Sequence, residues 1–329
     1  MRSLLALVVA VGFAQTPPTQ TSVQSTRPFA GVTFINRIEH TPRPIHLRVV
    51  QVDLRTPGVR VKLSPPGGTR EVVRQRTTEY VMSAHAQIGV NGHFFLPFPS
   101  SDADAWVIGF AASEGRVFSA FETPEQSYAL VADAPALDID QRNHATIVHR
   151  DPGQPDGRHV REDVEVWTAV AGSAQIVTNG KVTIPIYRDA EHTDGALTPG
   201  GPRNYSNTNS WYDVVTARTA VGISRDGGTL TLATVDARGD SEGMRVGEVA
   251  TCLVADYGVW NALNLDGGGS TSLAMADPVT GIVSLANTSS DNPAGRIVAT
   301  SLAVTAAPGS VAMKSAMFLA PAAGVPLIR

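Results

Sequence analysis

The stretch Asp266-Gly-Gly-Gly-Ser-Thr-Ser272, entered from the run Trp260-Asn-Ala-Leu-Asn-Leu265, joins a carboxylate, three glycines and three hydroxyls. A carboxylate at a strand end can move a proton or stabilise a developing positive charge. Consecutive glycines lose much conformational entropy on folding, so they mark a backbone that needs positive φ or close approach to something. In such a turn the amides of Gly267, Gly268 and Gly269 would point into one concavity and hold an anion, helped by Ser270 and Thr271. The plain alternative is a tight turn with Asp266 accepting backbone hydrogen bonds, but a hairpin does not need three glycines. No Gly-Lys-Ser/Thr follows, which excludes a nucleotide phosphate loop.

Other residues could serve the same chemistry. In Asn91-Gly-His-Phe-Phe95, Asn91 and His93 fall on one side of an extended segment and could reach one ligand, or Phe94 and Phe95 could simply anchor a turn. Arg218, Arg238 and Arg296 stand at the ends of expected elements. Alone each would be a solvated or ion-paired group; together they suit an anionic substrate, because guanidinium binds phosphate through two parallel hydrogen bonds. Glu242 is the candidate carboxylate partner for Asp266, whereas Glu248 is better explained as a cap for the helix behind it. Trp211 and Tyr212 lie in the long Gly/Asn/Ser/Pro stretch from Thr193 to Asp213, a candidate lid able to cover a sugar face.

Three other chemistries find little support. The eight histidines include no HExxH, and His144 and His149 would lie on opposite faces of a strand, so no metal site is expected beyond a structural cation such as calcium in the acidic loop from Asp236 to Glu242. Ser270 lacks a GxSxG elbow. Cys252, the only cysteine, sits in a helical apolar stripe and reads as core, and it leaves no intrachain disulfide to form.

Elements must hold these groups in place. His46 to Leu54 and Val59 to Leu63 read as a hairpin around Thr56-Pro57-Gly58. Thr77 or Thr78 can cap a short helix through His85, and Ile88 to Val90 then enters a strand ending at Asn91. Several short strands are expected over residues 106–148, with a surface loop from Arg150 to Arg161. Thr219 to Ile223 and Thr229 to Asp236 flank Asp226-Gly-Gly228 as a second hairpin. Arg245 to Tyr257 carries a stripe of Val246, Val249, Ala250, Leu253 and Val254, stopped by Gly258. Ile297 to Val304 reads as the last strand. The order predicts an α+β fold: one domain with a mixed, mostly antiparallel twisted sheet and a few flanking helices.

The termini and the charge bound the setting. Residues 1–14 carry a charge, a short apolar run and a small residue, the pattern of a secretory signal, so a secreted or periplasmic location is expected. Residues 15–28 are polar and proline-bearing and are expected to be flexible, 29–306 to be the domain, and 307–329 to be a loose tail. A net charge of -4 without a basic block argues against nucleic acid. No stretch reaches the ~18 apolar residues of a membrane span. Oligomeric state is open.

With these segments in order, the chain resembles the phosphodiester glycosidase family. The resemblance rests on Asn91-Gly-His-Phe-Phe95, Ala217-Arg-Thr-Ala-Val-Gly222, Val235-Asp-Ala-Arg-Gly-Asp-Ser-Glu-Gly-Met244, Asn261-Ala-Leu-Asn-Leu-Asp-Gly-Gly-Gly-Ser-Thr-Ser272, and Asn287 with Arg296-Ile-Val298. It runs from residue 31 to 305. Departures are Ala237, where the family usually has Gly, and Arg245, where it usually has Thr. The resemblance implies hydrolysis of the glycosyl C–O bond of a sugar-1-phosphodiester, N-acetylglucosamine-1-phosphodiester or an exopolysaccharide-linked one, without a cofactor. Asp266 would then activate water or stabilise an oxocarbenium-like state, with His93 and Asn91 orienting the sugar or relaying a proton. A non-catalytic exopolysaccharide-binding or export-associated module is the competing expectation, since the same groups could hold an anionic glycan without cleaving it.

Overall fold

Alternate residues of the central strands point into two different interiors. The structure, a computed structural model, describes residues 21–121, 130–201 and 203–309 together with the backbone of Met317–Phe318. Along Thr229–Val235, Leu230 and Leu232 join one apolar cluster while Ala233 and Val235 join another. Along Arg218–Ile223, Val221 and Ile223 face the first cluster and Ala220 the second, so every residue of that strand is buried. Such two-faced burial fits strands covered on both sides, with side chains alternating at period two.

The sheet that carries them has nine strands. Their order is Lys181–Val182, Ala174–Thr178, Asn261–Asn264, Arg218–Ile223, Thr229–Val235, Ile45–Asp53, Val32–Glu39, Ser22–Thr26 and Met317–Phe318, each pair antiparallel. Two five-stranded antiparallel sheets accompany it. One is ordered Val283–Leu285, Leu273–Ala276, Ile88–Asn91, Ser301–Thr305 and Arg60–Leu63; the other Arg116–Ser119, Ala111–Ser113, Thr168–Ala171, Ala136–Ile139 and Ala145–Val148. The largest apolar cluster takes residues from all three, including Leu232, Leu263, Val90, Leu302, Leu137 and Val170.

Among the described residues two α-helices flank these layers. Helix α1, Thr77–Ser83, lays Tyr80 and Val81 against Ala274 and Ala303. Helix α2, Val246–Tyr257, packs Val246, Val249, Ala250 and Leu253 on the outer face of the nine-stranded sheet. Glu248 reaches back to the Arg245 amide at 2.7 Å, and Gly258 ends the helix at φ 66°. Capping, expected of Glu248, is what it does.

The fold is thus dominated by antiparallel sheets, more β than the expected α+β, and its strands form several sheets where a single one was anticipated. The hairpin at Asp226-Gly-Gly228 is present, closed by Asp226 accepting from the Gly228 amide at 3.1 Å. The expected hairpin of Ile45–Asp53 with Arg60–Leu63 is absent, because the chain changes sheet between them and Arg60–Leu63 pairs with Ser301–Thr305. Ser22–Thr26, inside the segment expected to be flexible, is a strand on Val32–Glu39. The signal segment and most of the tail lie outside the described residues. Among the described residues no helix is long and apolar enough to cross a membrane.

A second change of sheet builds the site. The chain leaves the nine-stranded sheet at Asn261–Asn264 and enters a five-stranded one at Leu273–Ala276, with Asp266 to Ser272 between them. The fully buried carboxamide of Asn91 pins both ends of this crossing. Its Nδ2 donates to the Asp266 carbonyl at 2.6 Å, and its Oδ1 accepts from the Ser272 amide at 3.0 Å and from Thr219 Oγ1 at 2.8 Å. Asn91→Ala leaves three buried polar groups without a partner, each worth about 1–3 kcal/mol. It should lower stability in a urea titration by roughly 3–5 kcal/mol; a loss under about 1 kcal/mol would mean the crossing is held by something else.

Candidate active site

The three glycines are required for three separate reasons. Gly268 sits at φ 57°, a left-handed conformation that side chains resist. A Cβ on Gly267 would lie 2.9 Å from the Ala217 carbonyl of the neighbouring strand, and a Cβ on Gly269 would lie 2.1 Å from Nη2 of Arg296. Sheet backbone presses on one glycine and a guanidinium on another. The turn lines a cavity of about 350 Å³ together with Asp266, Ser270, Arg296, Arg203, Phe94, Phe95, Phe98, Trp211 and Thr216.

Main-chain amides of the turn are largely committed already. Gly268 N–H donates to the Ala217 carbonyl at 2.8 Å, Ser270 N–H to Gly267 at 3.1 Å and Thr271 N–H to Gly268 at 3.2 Å. The Gly267 amide donates to the Asp266 carboxylate. Of the amides of this turn, that of Gly269 alone has no acceptor among the described residues. The expected three-amide anion nest is therefore reduced to one free N–H, and the cationic lining falls to side chains.

Asp266 is the one carboxylate among the described residues that line the cavity. Burial pushes its pKa up to about 7, against the opposing pull of a Ser270 hydrogen bond, the Arg296 charge and the Gly267 amide. Ser270 Oγ accepts from Arg296 Nη1 at 3.3 Å and donates to Asp266, so guanidinium, hydroxyl and carboxylate form one chain. Arg296 is fixed from behind, its Nε on Asp291 at 3.1 Å and its plane 4.8 Å over the Phe98 ring. A carboxyl group poised near neutral pH can act as acid or base without a large penalty in either direction.

Other expected site residues take different places. His93 is buried and does not line the cavity. Its Nε2 lies 3.0 Å from the Ala171 amide and 3.1 Å from the Phe110 carbonyl, and its Nδ1 lies 2.8 Å from Thr300 Oγ1, so protein groups occupy both ring nitrogens. Burial drops its pKa to about 4, so the ring is neutral and its nitrogens face protein. Asn91 likewise bonds main chain rather than open space. Arg218 is buried beneath the wall: Nε donates to the Met244 carbonyl at 3.0 Å, Nη2 to Val214, and its guanidinium lies 4.6 Å behind the Trp211 ring. Burial lowers its pKa to about 10. It props the wall and does not line the cavity, and its Nη1 is left without a hydrogen-bond partner among the described residues.

Glu242 and Arg238 are exposed on the loop before α2 and are not at the cavity. The Glu242 amide bonds the Pro44 carbonyl at 2.9 Å, and Arg238 bonds the carbonyl of Asp291 at 3.3 Å, the residue whose carboxylate holds Arg296. Asp236 of the same loop is held by Arg48 and by the Thr288 amide. Among the described residues no group of three His, Cys, Asp or Glu is placed to hold a metal ion. Thr271 is buried behind the turn. Trp211 does line the cavity and meets Phe94 edge-on at 6.2 Å, while Tyr212 turns inward to Ser173 at 3.2 Å. Sequence reasoning missed Arg203, Phe98 and Thr216; only the position of Arg203 inside the suspected lid pointed to it.

The two outer glycines make a contrast that measurement can separate. Gly267→Ala drives a Cβ into main chain and should lower stability by about 1–3 kcal/mol. Gly269→Ala meets only the end of a side chain, so it should fold nearly as well while displacing Arg296 and reducing ligand affinity. Thermal melts and sugar-phosphate binding on both variants check this; equal loss of stability in the two would contradict it.

Comparison with known proteins agrees with this architecture. The family model for phosphodiester glycosidase matches residues 84–305. N-acetylglucosamine-1-phosphodiester alpha-N-acetylglucosaminidase of Mus musculus is 25% identical over 260 residues, covering 79% of this chain and 45% of its own length. The Bos taurus protein of the same name is 26% identical over 261 residues, covering 79% and 44%. The chain thus spans less than half the length of these curated relatives. Among solved structures, the zebrafish catalytic domain of that enzyme, described as auto-inhibited by its pro-peptide, aligns with a TM-score of 0.56 at 18% identity over 86% of this chain and 88% of that one. A Synechocystis protein aligns at 0.55 with 14% identity, over 83% and 62% of the two chains. At such identities the structural likeness speaks for the fold alone. The family match covers most of the chain and includes the turn, the Asn91 crossing and Arg296: this protein belongs to the phosphodiester glycosidase family.

Proposed function

We propose that this protein hydrolyses the glycosyl C–O bond of a sugar-1-phosphodiester, with Asp266 as the group that acts on the reacting atoms. The observation that carries the reading is a carboxyl group, the lone one among the described residues of a cavity that also presents guanidinium and aromatic side chains, its pKa pushed up by burial to about 7. Ionised Asp266 takes a proton from water as the water oxygen bonds C1. The C1–O electron pair leaves with the phosphate, which departs as a phosphomonoester. Such a leaving group is already weakly basic, so a second carboxylic acid to protonate it is less needed than in an ordinary glycoside.

The remaining residues supply binding and orientation. Arg296 and the Gly269 amide stand beside Asp266 where they would stabilise charge gathering on the leaving phosphate. Ser270 holds Asp266 and Arg296 in register. Phe94 and Trp211 offer apolar faces to a sugar ring. Asn91, His93 and Arg218 act at one remove, through the backbone they fix.

Two measurements test this, with opposite signs. Activity should rise with pH through about 7 as Asp266 ionises, and Asp266→Asn should cut turnover of UDP-N-acetylglucosamine by a factor on the order of 10² to 10⁴. Stability should move the other way. A raised pKa means the native state binds the proton more tightly than the unfolded chain, so stability falls as pH rises from the ordinary carboxylate range to about 7. Asp266→Asn removes that penalty, so the variant should melt higher than the parent at pH 8 and alike at pH 4. Full activity in the variant would remove Asp266 from the role, and an unaltered melting difference across pH would contradict its buried charge.

A further inference from the structure

Resting on that reading, we infer that Arg203 is the specificity-determining residue of the site, the cation that recruits an anionic leaving group and separates sugar phosphodiesters from neutral glycosides. The charges around the cavity lead there. Arg296 is already matched by Asp291 and tied to Ser270, and Arg218 is buried on three carbonyls beneath Trp211. Arg203 lines the same cavity, is exposed, and its guanidinium makes no hydrogen bond, ion pair or ring contact with any described residue. Among the described residues, an anion arriving there displaces no protein partner.

Its backbone is held firmly enough to aim the side chain. Gly200 and Tyr205 exchange hydrogen bonds of 2.9 and 2.8 Å, and the Arg203 carbonyl accepts from Asn209 Nδ2 at 3.0 Å. Buried Leu197, Tyr205 and Tyr212 anchor the loop on either side. Arg203 therefore stands at the tip of a pinned loop that also carries Trp211.

A charge count says why a further cation is needed. The reaction begins with Asp266 ionised and brings a phosphodiester anion next to it, and Asp291 already offsets Arg296. Without Arg203 the two like charges would share the cavity, which would raise the proton affinity of Asp266 and weaken both binding and base strength. A neutral aryl glycoside does not make that demand.

The test compares the intact protein with Arg203→Ala and Arg203→Lys on two probes, UDP-N-acetylglucosamine and the neutral 4-nitrophenyl N-acetyl-α-glucosaminide, and adds calorimetric binding of UDP. Arg203→Ala should lose about tenfold or more in kcat/KM for the charged probe, mostly through KM, and its loss on the neutral probe should be much smaller. UDP affinity should fall by a similar factor, its dependence on salt should weaken, and Lys should restore part of both. Equal losses on the two probes, or undiminished UDP affinity in Arg203→Ala, would overturn the inference. If the intact protein binds UDP through Arg203 yet cleaves neither probe, the hydrolytic reading fails while the role of Arg203 in anion selection stands.

Discussion

One buried carboxamide organises the site. Strand Asn261–Asn264 belongs to one sheet and Leu273–Ala276 to another, and the eight residues from Leu265 to Ser272 must carry the chain across. Backbone that leaves a ladder in a protein interior has polar groups to satisfy. Asn91 satisfies them at both ends of the crossing and takes a third hydrogen bond from Thr219, so its four-way bonding capacity is almost fully used. The geometry that results leaves the Asp266 side chain facing the cavity while its main chain is locked from behind.

That arrangement sets two tendencies against each other. Burial disfavours the Asp266 carboxylate, and the Ser270 hydroxyl, Arg296 and the Gly267 amide favour it. Desolvation prevails, which leaves the group far from the ordinary range of an aspartate. A protein selected only for stability would place an amide there; under the function proposed above, the acid is the trade between stability and activity that reactive sites commonly show. The glycines serve the same end, since any side chain at Gly269 would push Arg296 away from the carboxylate it steadies.

Local signals were legible where the partner is close in sequence. Asp226-Gly-Gly228 closes its own hairpin, and the stripe of α2 with Gly258 behind it marks a helix without reference to the rest of the chain. Sheet membership was not legible in that way. Ile45–Asp53 and Arg60–Leu63 have the alternation of a hairpin, yet the first pairs with Val32–Glu39 before it and with Thr229–Val235, and the second with Ser301–Thr305; alternation says nothing about which partner is chosen. At the site, Asp266 and its glycines stood out because their chemistry is local. Asn91, His93 and Arg218 stood out too, but residue type alone could not tell a ligand-facing group from one that bonds main chain in the interior. Arg203 has only its place in the suspected lid from Thr193 to Asp213 to mark it in the sequence, and the folded loop is what brings it to the cavity.

The central claim is that the crossing presents a carboxyl group whose proton leaves near neutral pH. Carbon-13 NMR of the protein labelled at aspartate, with Asp266 assigned by its loss in Asp266→Asn, follows that proton directly. A midpoint close to 7 is the result this structure predicts. A midpoint near the ordinary aspartate value of about 4 would contradict it.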